Sequence, residues 1–242
     1  MRSTPRGRRD RIRTLGIIGG TAPPSTIDYY RELTSRYRAA SPEGRYPSIL
    51  INSIDATAFF RLLAADDRGA MIEVLLIALH RLARGGADLG LFASNTLHLV
   101  FDEVAHHSPI QLISIVEETA KAAEAEGYRT LGLLGARFTM EADFYPAVFA
   151  RRGLAMVIPD AADRDLVHDR YFTELVEGSF RDETRAAIAA VIDRMVERHG
   201  IQAVILGGTE LPLLFRGGPS PSVPLLDTTL IHVESAIAQL LS

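Results

Sequence analysis

Short unbroken apolar runs alternate along this chain with longer stretches whose apolar positions recur every three or four residues. The runs are TLGIIGG from Thr14, SILIN from Ser48, DLGLFA from Asp88, TLGLLGA from Thr130, LAMVI from Leu154 and QAVILGG from Gln202. Each has the length of a strand and is bounded by glycine, proline or polar residues. The stretches between them predict helices near 25–40, 66–84, 115–126, 139–151, 164–177, 181–198 and 229–241. Strands that are apolar throughout belong to parallel sheets covered by helices on both faces, so the chain reads as α/β.

The pattern repeats. TLGIIGGT (14–21) is similar to TLGLLGAR (130–137), and each is followed by a hydroxyl residue and a helix carrying Tyr. Later in each half a strand ends in a polar turn, LFASNT or ILGGTE. Eighty residues separate Thr14 from Ser94 and 78 separate Thr130 from Gly208, so Ser94 and Gly208 fall at equivalent places. A duplicated α/β unit is expected. Chance likeness between short glycine-punctuated strands is the alternative. The last stretch, VPLLDTTLIHVESAIAQLL, predicts a short strand and an amphipathic helix capped by Asp227 or Thr228 and packed back on the first half. The expected organisation is a basic disordered tail (1–13), a first lobe of residues 14–112 completed by 223–242, and a second lobe of residues 113–222.

Parallel sheets bind ligands beyond the carboxyl ends of their strands, where helix N-termini offer free N–H groups to anions. Three loops there are rich in small and hydroxyl residues: GGTAPPST (19–26), SNTLH (94–98) and GGTE (207–210). They suit a small carboxylate or phosphate. The first lacks the G-x-G-x-x-G spacing of a dinucleotide fingerprint. Plainer roles stay open: a strand-to-helix turn at Gly19 and Gly20, helix caps at Asn95 and Thr96, a packed ring at His98, and a solvated first-turn carboxylate at Glu210.

Composition narrows the chemistry. The 242 residues carry a net charge of −4, with 47% hydrophobic residues and no Cys. Disulfides, thiolate metal sites and thiol catalysis are excluded. The single Lys, Lys121, lies on the wet face of a predicted helix, which argues against a pyridoxal Schiff base. No His, Asp and Glu set has metal-ligand spacing, and the adjacent His106 and His107 read as surface residues. The expectation is neither cofactor nor metal. Mild acidity and the lack of an 18-residue apolar run point to a cytoplasmic protein without nucleic-acid or membrane partners.

With the loops assembled, the chain after residue 13 resembles the aspartate/glutamate racemase superfamily, in particular its broad-specificity amino-acid (L-aspartate/glutamate) racemase branch. The residues that carry the resemblance are LGIIGGTAPPSTIDYYRELT, ILINSIDATAF, SNTLH, ISIVEETAKAAEAEGYRTLGLLGARFTMEADFY, GGTELPLL and the C-terminal stretch quoted above. It implies two pseudo-symmetric lobes with the site in the cleft between them, a homodimer, and cofactor-independent inversion at an α-carbon. The family's proton carriers are normally two cysteines, in C-N-T-x-H and G-C-T-E motifs. Here those places hold Ser94 and Gly208. The resemblance also implies substrate contacts from Gly19, Gly20, Thr21, Asn52, Asn95, Thr96, Thr139 and Thr209, with Arg61 a further candidate. It puts a basic side chain near Leu166, where only Arg164, His168 and Arg170 are available.

Losing the thiols matters. A serine hydroxyl is roughly five units less acidic than a thiol, so its alkoxide costs about 7 kcal/mol more. Glycine carries no proton at all. Ser94, His98 and Glu210 are therefore the candidate catalytic groups. Three uses of the site stay open: racemase-like isomerisation of an Asp/Glu-like amino or dicarboxylic acid, another carbanion reaction such as decarboxylation or elimination, and carboxylate binding without catalysis.

Overall fold

The computed structural model describes residues 12–219 and 221–242. Its first half runs β1 (Thr14–Gly19), α1 (Pro23–Ala40), β2 (Ser48–Ser53), α2 (Ala56–Ala64), α3 (Arg68–Arg84), β3 (Leu89–Phe92), a 3-10 turn (Thr96–Val100), α4 (Phe101–His107) and β4 (Gln111–Ile113). The second runs α5 (Ile115–Ala125), β5 (Thr130–Leu134), α6 (Arg137–Glu141), α7 (Phe144–Ala150), β6 (Ala155–Val157), α8 (Ala161–Arg170), a π-helical turn (Tyr171–Leu175), α9 (Asp182–His199), β7 (Ala203–Leu206), α10 (Leu211–Phe215), β8 (Leu225–Asp227) and α11 (Thr228–Leu241).

The strands form two four-stranded parallel sheets, ordered β2-β1-β3-β4 and β6-β5-β7-β8. The two orders are the same, as the internal repeat requires. Each sheet is buried on both faces, which is why its central strands are apolar without alternation. In the first sheet, Leu15, Ile17, Leu89 and Leu91 face α1 and α11, while Ile18 and Phe92 face α2, α3 and α4. In the second, Leu131, Leu133, Ala203 and Ile205 face α5 and α7, while Leu134, Val204 and Leu206 face α8, α9 and α10. Leu33 and Leu75 are fully buried between these layers, and truncating either to Ala costs about 2–5 kcal/mol.

Two boundaries differ from the sequence expectation. Residues 225–227 pair with β7 in the second sheet rather than completing the first lobe. Only α11 crosses back, to pack on α1, β1 and α5. Asp227 marks the crossing, since its carboxylate caps α11 by accepting from the Leu230 N–H at 2.9 Å. At the other end, the expected tail falls outside the described residues except for Ile12 and Arg13, and Arg13 is tied down: its guanidinium donates to the Gln239 carbonyl at 2.7 Å. The remaining differences are short elements. Residues 139–151 form two helices instead of one, and α2, α4, α10 and the three-residue β4 were not anticipated. No helix among the described residues is long and apolar enough to cross a membrane.

Candidate functional site

In each sheet the strand order reverses between the first and third strands of the lobe, so a crevice opens where β1 and β3, or β5 and β7, end. The four loops there meet between the lobes. Ser94 lies two residues beyond β3 and Gly208 two residues beyond β7 (94 − 92 and 208 − 206), so the repeat places them equivalently in space as well as in sequence.

Hydrogen bonds from side chain to side chain sew the loops together. Ser25 of α1 donates to Glu210 and stands 2.6 Å from the Thr209 hydroxyl. Tyr145 of α7 donates to Asn95 Oδ1 at 2.6 Å, and Asn95 Nδ2 reaches Thr228 Oγ1 at 3.3 Å. Thr228 in turn donates to the Leu206 carbonyl at 2.8 Å. Thr96 and Thr139 lie 3.5 Å apart across the interface. Between these contacts sits a cavity of about 20 Å³ lined by Thr21, Ser94, Thr96, Tyr171, Thr209 and Glu210 among others. That volume holds about one water. Thr21, Phe60, Phe172 and Val176 also line an adjoining groove of about 530 Å³. Phe60 and Phe172, which line both spaces, meet edge to face at 5.8 Å.

The first-lobe loop is held by histidine. His98 is buried and stacks on Phe101. Its Nδ1 donates to the Ser94 carbonyl at 3.0 Å, and its Nε2 accepts the Ile115 N–H at 3.1 Å. This pairing requires the neutral ring, and burial, helped by nearby His232, pushes its pKa down to about 3. The expected proton-transfer role for His98 therefore lacks a free nitrogen: the ring fixes the backbone of residue 94. His232 behaves alike. It accepts from Tyr29, donates to the Ile113 carbonyl, and is lowered by burial to about 4.

The second-lobe loop is held by a carboxyl. Glu210 is buried rather than solvated, and it accepts from Ser25 and Tyr171. Burial raises its pKa above the usual carboxylate range, against the lowering effect of those hydroxyls. Gly208 is confined by the same tyrosine. A Cβ there would stand 2.8 Å from both Cζ and Oη of Tyr171, closer than real Cβ atoms approach.

The other expected contacts divide. Gly20 has φ of +96°, and a Cβ on it would lie 2.6 Å from the Ile54 carbonyl, so the tight turn itself demands glycine. Its N–H goes to Thr26 at 3.0 Å. Pro23 and Pro24 occupy the first turn of α1, where their missing N–H groups remove two of the donors an anion would have met. Asn52 is half-buried and Arg61 exposed, and neither lines the cavity or the groove. The basic candidates near Leu166 point elsewhere: Arg164 pairs with Glu141, Arg170 with Glu174, and His168 accepts the Arg137 N–H at 3.2 Å. No three-residue group of metal-ligating side chains occurs among the described residues. Lys121 pairs with Glu118 on the outside of α5, and His106 and His107 are exposed.

Sequence reasoning missed Ser25, Tyr145, Tyr171, Phe172 and His232. The hydroxyl-then-tyrosine signal after each first strand pointed toward Ser25 and Tyr145. Tyr171 carries no local signal, because its π-helical turn, closed by the Val176 N–H on the Tyr171 carbonyl, lies far from either loop in sequence.

Two matching parallel α/β lobes with a hydroxyl-lined cavity at their facing strand ends define a two-lobed α/β protein whose candidate site lies between the lobes. The chain belongs to the Asp/Glu/hydantoin racemase family, whose profile matches residues 18–236. Among solved structures it is similar to an aspartate racemase homologue from Pyrococcus horikoshii OT3, at 34% identity and TM-score 0.81, covering 95% of this chain and 100% of that one. The fold is also that of the Picrophilus torridus aspartate racemase, at 20% identity and TM-score 0.71 over 94% of each chain. The broad-specificity amino-acid racemase RacX of Bacillus subtilis (strain 168) is 26% identical over 152 residues, which are 60% of this chain and 64% of that relative. The match thus spans less than two thirds of that protein.

Proposed function

We propose that this chain forms a carbanion at the α-carbon of a small carboxylic acid, as a racemase-like isomerase that works without cysteine. The observation that carries this reading is the interlobe cavity itself, with Ser94 on the first-lobe side and Thr209 and Glu210 on the second. Thr21, Thr96 and Thr209 supply hydroxyl donors for the carboxylate, and Thr139 and Asn95 keep the loops in register. Asn95 spends its carbonyl on Tyr145 and part of its amide on Thr228, so only its second N–H remains for a ligand.

The site also bears on which acid fits. Neither the cavity nor the groove is lined by Lys or Arg, and the groove walls include Pro23, Pro24, Ala56, Phe60, Phe172 and Val176. A second carboxylate would meet no cation there and would lie near buried Glu210. Among amino and dicarboxylic acids of the Asp/Glu kind, this favours those whose remaining α-substituent is apolar.

A second reading has its own support. Racemisation has an equilibrium constant of one, so both directions need equal kcat/KM, and both faces need a competent base as well as an acid. Ser94 is a poor base, because its alkoxide is about 7 kcal/mol less accessible than a thiolate. The weakness of the first-lobe side favours chemistry that needs one proton delivery, such as decarboxylation of a substituted malonate. One experiment separates the readings. D- and L-aspartate, D- and L-phenylalanine and 2-methyl-2-phenylmalonate are each incubated with the protein in D2O, and α-deuterium, enantiomeric ratio and CO2 are followed. Exchange with inversion supports racemase-like chemistry, and CO2 release supports the second reading. If every compound is returned unchanged, both are lost.

A further inference from the structure

We infer that Tyr171 is the proton carrier of the second lobe, its phenol occupying the space that a side chain at position 208 would fill. This assignment rests on the carbanion reading above and names the group that serves it.

Three observations converge. First, the position equivalent to Ser94 has no side chain, and the volume its Cβ would take is already filled: Tyr171 Cζ and Oη would both lie 2.8 Å away. A glycine at 208 and a tyrosine at 171 are sterically complementary: a side chain at 208 would force the Tyr171 ring to shift. Second, Tyr171 lines the same small cavity as Ser94, Thr96 and Thr209. It thus belongs to the second-lobe wall of the space where this assignment puts the ligand's α-carbon. Third, the phenol hydrogen-bonds Glu210, which Ser25 secures from the opposite lobe. The π-helical turn at Tyr171–Leu175 fits this picture, since such single turns recur at functional sites.

Glu210 then acts through Tyr171 and not on the substrate. In abstraction, the α C–H bond breaks and its electron pair stays on carbon as the enolate. The proton goes to the Tyr171 oxygen while the phenol's own proton passes to the Glu210 carboxylate. In delivery the steps reverse. The carboxyl O–H of Glu210 donates to the phenol oxygen, the phenol O–H bond breaks, and a new C–H bond forms with the carbanion's pair. When delivery follows loss of CO2, Glu210 regains its proton from water. No oxidant or further reactant is needed. Burial and the neighbouring Glu210 charge both hold the phenol in its protonated form at neutral pH, which suits a relay that never stores a free phenolate.

The test uses the same five compounds in D2O. Tyr171→Phe keeps the ring that fills the space beside Gly208 and removes only the oxygen. The expected result is at least a roughly 100-fold fall in α-deuterium exchange or deuterated decarboxylation product, with Tm within about 2 °C of the parent. Gly208→Cys alone should lower Tm by roughly 4 °C or more through overpacking. The same change in a Tyr171→Phe chain should cost a similar amount, because the ring atoms that a Cβ at 208 would meet remain. Parent-like exchange in Tyr171→Phe overturns the assignment while leaving the carbanion reading intact, and so does a Gly208→Cys chain as stable as the parent. No exchange by the parent with any compound removes the carbanion reading, and this assignment with it.

Discussion

The loops after β3 and β7 hold the same place in two copies of one sheet, yet they are built from opposite materials. At the first, the side chain is present and small, and the backbone carbonyl of Ser94 is pinned by a neutral, buried His98. At the second, the side chain is absent, and a tyrosine from a different element stands in its space with a buried carboxyl behind it. A duplicated scaffold preserves where a loop goes; it does not preserve which residue brings the chemistry there. The first loop has geometry without a good acid or base. The second has a hydrogen-bonded tyrosine–carboxyl pair of which only the carboxyl, Glu210, belongs to the loop.

The most direct way to break this comparison is to remove the couple's charge. Glu210→Gln keeps the size and one accepting oxygen for the two hydroxyls of Ser25 and Tyr171, but it cannot take a proton. Exchange of α-deuterium should fall about 1000-fold, within the range that a positioned acid–base group contributes. A variant that loses less than about tenfold would place the working group elsewhere.

Next comes pH, which weighs most on the two buried histidines. His98 and His232 are held neutral, with pKa values lowered from 6.5 to about 3 and about 4. A histidine whose folded pKa is depressed contributes fully above pH 6.5, and its contribution declines as pH falls, because the unfolded chain takes up the proton first. At pH 5 each should have lost about 2 kcal/mol of stability relative to pH 8. Glu210 and Asp227, whose pKa values are raised by burial, work in the opposite sense and offset part of it. Urea unfolding at pH 8 and pH 5 measures the sum. His98→Phe should reduce the pH dependence by about 2 kcal/mol, while Glu210→Gln should steepen it.

A smaller effect tests the contacts that join the lobes. Asn95→Ala leaves the buried Tyr145 hydroxyl without its acceptor and removes the amide bond to Thr228, at a cost of about 1–3 kcal/mol. Adding Tyr145→Phe should recover part of that loss, because the stranded hydroxyl then disappears. Denaturant midpoints for the two single variants and the double give the coupling. Strictly additive losses would mean that the bond does not hold the loops in register.

Much of this was legible in the sequence. The apolar strands, the repeat offset and the three small-residue loops were enough to expect two α/β lobes with residues 94 and 208 in equivalent places. Those signals are local: a buried parallel strand and a strand-end turn each declare themselves within ten residues. What stayed hidden depends on long-range placement. Glu210 and His98 have the composition of a solvated carboxylate and a free base, and only burial shows that one is shielded and the other spent on backbone bonds. The strand at 225–227 is too short for its pattern to reveal which sheet it joins. Tyr171 lies 37 residues before Gly208, and nothing local in either marks them as complementary.

The change smallest in rate is sharpest in stereochemistry. Ser94→Cys adds a thiol to the lobe that lacks a usable base, in a position already secured by His98 and with little change in size. If Tyr171 and Glu210 carry out exchange unaided, total deuterium uptake should change by less than about threefold, because the second-lobe step stays limiting. Its outcome should differ. With only Ser94 on the opposite face, exchange in the parent should run well ahead of inversion, whereas the thiol offers a better carrier on that face. The inverted share of the product should therefore rise in the variant, and chiral chromatography of the recovered amino acid measures it. A large rise in uptake without inversion would mean that the first-lobe side had limited the reaction all along, and the contrast between the two loops would then have to be drawn the other way round.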